Sequence, residues 1–178
     1  PPASRFPRLS DGTLVSPLAK EKHGFPAIPG VRYNGKLNDL FINDLRAVPP
    51  KHVAGTEYRV LVPKVDSDGN EIGGIRSVAL RVPLGTHAGW NLRAAGFMED
   101  ELCYLNGSYI PFAKTKEEKE KSGDPRLSIE ERYRDHADYV QKVNLAARSL
   151  IEERFLLPED AERIIAETKR NPVFSEKK

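Results

Sequence analysis

The residues best suited to chemistry lie in Gly85-Thr-His-Ala-Gly-Trp-Asn91, a run of small and polar side chains around one histidine and the chain's only tryptophan. His87 follows a strand-like run, and its small neighbours leave the ring accessible. A general base must be displayed in that way, with an imidazole that titrates near neutrality. It also needs a nucleophile to deprotonate and a carboxylate to orient it, and the adjacent sequence supplies neither. The competing reading is a structural ring bonded to loop backbone. Trp90 carries the same two readings, as a packing anchor or as one wall of a substrate site.

Other chemistry-bearing residues fall short of a motif. Ser108, in Asn106-Gly-Ser-Tyr-Ile110, lacks the second glycine of the Gly-x-Ser-x-Gly turn that exposes a hydrolase serine, so it reads as a turn residue. Asp66-Ser-Asp-Gly-Asn-Glu71 opens like a calcium loop. Its glycine stands at the fourth place rather than the sixth, however, and Ser77 stands where the closing acid belongs. Local side-chain bonds in a tight turn explain the same Asp and Asn residues. His23 and His52 sit in proline-rich stretches with no partner in view, and His136 falls on the apolar stripe of a helix. Cys103 is the single cysteine, which excludes an internal disulfide. No phosphate-binding glycine loop, paired-histidine motif or cysteine pair occurs, so neither a cofactor nor a metal is expected.

The elements that must position His87 and Trp90 are read as α+β. Residues 57–83 predict a β-hairpin, with alternation from Tyr58 on one arm and Val78, Leu80 and Val82 sharing a face on the other. Asp66 to Asn70 supplies the reversal, because Gly69 and Asn70 tolerate positive φ. Residues 84–113 read as an irregular strand-exit loop. Thr115-Lys-Glu-Glu118 and Ser128-Ile-Glu-Glu131 are capping boxes that open helices over 116–122 and 128–155. The second helix carries a stripe through Tyr133, Val140, Val143, Ala147 and Leu150. Pro158 opens a last helix over 158–171, antiparallel to its predecessor and packed with it on the hairpin layer.

Residues 1–56 differ. Eight prolines are spaced through them so that no long helix can form, yet aromatic and aliphatic residues recur throughout. Such an irregular arm is expected to lie across a body of protein elsewhere. The chain opens Pro1-Pro2-Ala3 with Met98 as its only methionine, and it is read as a piece of a longer polypeptide. A formal net charge of +2 in 178 residues gives no reason to expect a nucleic-acid partner, and no apolar run reaches membrane-spanning length.

Long ordered motifs carry a family resemblance. They are Phe25-Pro-Ala-Ile-Pro-Gly-Val-Arg-Tyr33, Val62 to Ile75, Val82-Pro-Leu-Gly-Thr-His-Ala-Gly-Trp-Asn-Leu-Arg93, Gly107-Ser-Tyr-Ile-Pro-Phe112, Gly123-Asp-Pro-Arg126, Ser128 to Tyr133 and Leu156-Leu-Pro-Glu-Asp160. In that order they resemble the C-terminal part of large bacterial α/β-hydrolase domain proteins. The resemblance implies an α/β-hydrolase parent fold and hydrolysis of a small-molecule ester by a serine. In α/β-hydrolases the serine precedes the acid and the histidine comes last, after a late strand. A C-terminal piece would then carry only the histidine, at His87. Its partner would be the missing N-terminal part of its own polypeptide. The alternative is a non-catalytic packing or interaction module appended to the hydrolase core.

Overall fold

The computed structural model describes residue 6 and residues 8–15, 25–32, 41–56, 61–103 and 105–174. Among these the architecture is α+β, with short antiparallel ladders and five helices. The strands are β1 (Leu14–Val15), β2 (Asn43–Asp44), β3 (Lys51–His52), β4 (Val62–Pro63), β5 (Gly85–Ala88), β6 (Asn91–Leu92), β7 (Leu102–Cys103) and β8 (Ser108–Pro111). They pair in four separate two-stranded ladders, β1 with β4, β2 with β3, β5 with β8 and β6 with β7, all antiparallel. The helices are α1 (Val78–Arg81), α2 (Lys116–Ser122), α3 (Ile129–Arg132), α4 (His136–Glu152) and α5 (Pro158–Lys169).

The second arm of the expected hairpin is a helix. Val78 and Val82 alternate with Leu80 as strand residues would, but they are also four apart, on one face of a helical turn. The structure uses that second spacing. Val78 and Val82 are buried in the main apolar cluster with Tyr139, Val143, Ala147 and Leu150 of α4, while Leu80 stays partly exposed. Each valine so buried contributes about 1.5–3 kcal/mol. Arg81 fastens the turn to α4 by donating to Ser149 Oγ (3.0 Å) and Glu153 Oε1 (3.1 Å). Of the first arm, residues 57–60 lie outside the described residues, and Val62–Pro63 pairs with β1 instead. What remains of the hairpin is its reversal, closed by a bridge between Val65 and Glu71.

The segment expected to be an irregular loop, 84–113, holds the longest ladder. Gly85, Thr86, His87 and Ala88 face Pro111, Ile110, Tyr109 and Ser108, and β6 pairs with β7 inside the intervening excursion. His87 therefore stands within a strand and not beyond its exit.

The helix expected over 128–155 is two helices. Ser128 and Glu131 form a full reciprocal capping box on α3. Tyr133 then turns extended, and Asp135 starts α4 afresh by accepting from the Asp138 amide at 2.8 Å. Asp is unfavourable inside a helix and favourable at its start, which fixes the break. Tyr133 also points inward, donating to Pro83 O at 2.7 Å. The last helix runs from Pro158 to Lys169 and packs along α4. Gly123, at φ 74°, closes α2 in the left-handed conformation.

Described parts of the arm pack on this chain. β1 pairs with β4, Phe25 lies against Trp90 with ring centroids 5.1 Å apart, and Ile28 is buried. This corrects the expectation that the arm needs a body elsewhere for those segments; residues 1–5, 7, 16–24 (with His23) and 33–40 lie outside the described residues.

Candidate functional site

The turn before α1 organises the surroundings of His87. Asp66 Oδ1 accepts from the amides of Asp68 and Asn70, both at 3.0 Å, so one carboxylate oxygen holds the reversal. Gly69 has φ 80°, and a side chain there would meet Thr86 Cγ2 at 3.0 Å. The reversal delivers Asn70 to the side of β5. Its amide donates to Gly85 O (3.2 Å) and accepts from the His87 N–H (2.8 Å). A side-chain amide thus stands where a third strand's peptide group would.

Behind β5 lies a buried ionic network. Arg126 grips Asp124 through Nε and Nη2, and also donates to Thr86 Oγ1 (2.9 Å), Ile110 O (3.0 Å) and Pro111 O (3.1 Å). Thr86 Oγ1 donates in turn to Asp68 O. Arg132 holds the Asp68 carboxylate with both terminal nitrogens. Phe112 receives both guanidinium groups, Arg132 at 4.0 Å and Arg126 at 5.1 Å from its ring centre. Burial works to raise the Asp124 pKa, but the hydrogen bonds and charge of Arg126 outweigh it and hold the carboxyl below its usual range. Each buried donor of Arg126 has an acceptor, which is the condition under which a charge tolerates burial.

His87 projects from the other side of this strand. Its side chain is exposed, and its ring lies 4.9 Å from that of the cross-strand neighbour Tyr109. Among the described residues the imidazole has no hydrogen-bond partner: Asn70 takes the backbone N–H, and no serine or carboxylate reaches the ring. Loss of hydration lowers the His87 pKa below 6.5, which favours the neutral ring. Burial raises the Tyr109 pKa, opposed by the charge of Arg126. Trp90 lines a separate cleft of about 300 Å³ with Asn91, Arg93, Ser108 and Ile110; His87 is not among its walls. Ser108 Oγ donates to Trp90 O at 2.9 Å, which suits the turn-serine reading.

The other two described histidines, His52 and His136, have structural partners. His52 Nδ1 bonds to Asn43 Oδ1 at 2.8 Å, and its ring lies tilted against that of Phe41 with centroids 4.0 Å apart. His136 Nε2–H donates to Thr168 O at 3.0 Å, with Phe174 parallel to its ring. In the acidic turn, Asp66 is engaged by Arg76 at 2.8 Å and Asp68 by Arg132. Among the described residues no group of three acidic, histidine or cysteine side chains is placed to hold a metal ion.

Compared with known families, residues 31–166 match the alpha/beta hydrolase domain. The match spans about three quarters of the chain. The chain belongs to this family. No curated protein and no solved structure matches it. The matched stretch of the alpha/beta hydrolase domain includes His87, Trp90, the Asp66–Asn70 turn and the whole Asp124–Arg126–Asp68–Arg132 network. The described ladders are nevertheless all antiparallel, whereas an α/β-hydrolase sheet is mainly parallel. Sequence reasoning does not single out Asn70, Thr86, Asp124 and Arg126 as neighbours of the site. The signal available is local: Asp124-Pro-Arg126 places an acid two residues from an arginine, ready to pair.

Proposed function

We propose that this chain is the C-terminal portion of an esterase-like serine hydrolase, in which His87 is the general base and the upstream polypeptide supplies the serine and the acid. The supporting observation is the family match across a stretch whose one exposed, unpartnered and neutral imidazole belongs to His87. In that role His87 takes the serine proton as the oxygen attacks the acyl carbon. It returns the proton to the departing alkoxide, and a water then repeats the exchange to release the acid. Trp90, held by Phe25, forms an apolar wall for the acyl or alcohol group.

The test is hydrolysis of a short-chain p-nitrophenyl ester by the parent polypeptide and its His87→Ala variant. We expect kcat to fall by about 10²–10⁴ in the variant and this chain alone to stay at the buffer rate. Undiminished hydrolysis by the variant removes His87 from the mechanism. The second reading, a non-catalytic module, is favoured by one observation. Asp68 and Asp124, the acids packed behind β5, are committed to Arg132 and Arg126, so no described carboxylate orients His87.

A further inference from the structure

Helix α4 has two working faces. One buries Tyr139, Val143, Ala147 and Leu150 in the core. The other carries Ala137, Val140, Gln141, Asn144, Leu145 and Arg148, which recur at three- and four-residue intervals and line an open groove of about 850 Å³. Leu145 is 59% exposed and presents apolar surface to the groove. The groove has basic groups at both ends, His136 with Lys169 of α5 at one and Arg148 at the other, and no carboxylate in its lining among the described residues.

Several basic side chains elsewhere among the helices are already neutralised. Lys142 pairs with Asp138, Arg81 with Glu153, Lys119 with Glu131 and Arg163 with Asp160. Arg148 and Lys169 have no ion pair and no hydrogen bond among the described residues. We propose that this face of α4 is a docking groove for an acidic amphipathic α-helix. Its apolar side lies on Val140 and Leu145, and carboxylates near its two ends meet Lys169 and Arg148. From His136 to Arg148 the groove runs about 18 Å, the length of three helical turns. A helix laid in a groove anchors through residues at the same three- and four-residue spacing. The inference stands apart from any role of His87, whose strand contributes nothing to the groove.

The test uses the full chain and a synthetic three-turn helical peptide with leucines along one face and glutamates at both ends, followed by fluorescence anisotropy. A lysine-for-glutamate peptide, vesicles containing phosphatidylserine, and the protein's own sedimentation serve as comparisons. Saturable binding of the acidic peptide alone is expected, weakening with salt and falling at least about tenfold in Leu145→Glu. Arg148→Glu with Lys169→Glu should reverse the preference toward the lysine peptide. All three side chains are surface groups, and circular dichroism confirms that each variant is folded. Absence of binding, or equal binding of the two peptides, overturns the proposal. So does self-association abolished by Leu145→Glu, which makes a second copy the occupant. Vesicle binding without peptide binding assigns the groove to a lipid surface and likewise overturns it.

Discussion

Replacing Asp124 by asparagine is the most direct trial of the network behind β5. The side chain of Arg126 is 2% exposed and that of Asp124 8% exposed. In Asp124→Asn the new amide would retain the shape and one acceptor oxygen but remove the charge, leaving the guanidinium with neutral acceptors only, that oxygen and those of Thr86, Ile110 and Pro111. Breaking one partner of a buried pair costs about 3–5 kcal/mol, because the surviving charge is uncompensated. In a chain of this length that lowers Tm by about 6–20 °C. Thermal unfolding followed by circular dichroism at pH 7 measures it. Asp124→Leu with Arg126→Met, which removes both charges at once, should lose much less than the single variant. The sign with pH follows from the depressed carboxyl. The stabilisation is complete above the unfolded value near 3.8 and disappears as pH falls through the lower folded value. A single variant within about 1 kcal/mol of wild type, or a double variant that is worse, would refute the view that a desolvated ion pair holds this strand.

Gly85→Ala should open the β5–β8 ladder, since the added methyl would meet Ile110 O at 2.6 Å and Pro111 Cα at 2.9 Å, both backbone atoms; we expect a loss of about 1–3 kcal/mol by chemical denaturation. Glu131 should titrate at about 2 by NMR, held down first by the bond from Lys119 and then by the Ser128 amide and hydroxyl; its contribution to stability is present above 4.5 and lost as pH falls through about 2. Ser128→Ala should raise that midpoint and cost about 1 kcal/mol through loss of the cap. The His87 ring should titrate below 6.5 in the folded chain, and Tyr109→Ala, which rehydrates it, should bring its midpoint up toward that value.

Where the sequence is informative, the determinant is local. Thr115 and Ser128 accept from amides three residues on, and Asp66 from amides two and four residues on, so each bond is written in a short window. The apolar stripe of α4 is legible for the same reason, although a helix start at residue 128 overlooks the capping strength of Asp135. Val78 and Val82 mislead because a separation of four satisfies both a strand and a helix, and only the distant α4 decides between them. The ladder of β5 with β8 is invisible because its partners are separated by an excursion that itself contains β6 and β7. Arg126 is hidden differently: composition marks an arginine as a surface residue, and only the convergence of Asp124, Thr86 and two carbonyls makes burial tolerable.

The amide of Asn70 has a consequence for how β5 can take part in a wider sheet. By occupying Gly85 O and the His87 N–H, it plugs the open flank of β5 with a group that belongs to the same chain. A foreign strand arriving there would have to evict a fully buried side chain and leave its amide unsatisfied. Growth of a sheet is therefore blocked along that flank, and the direction in which His87 leaves the backbone is locked by the same plug.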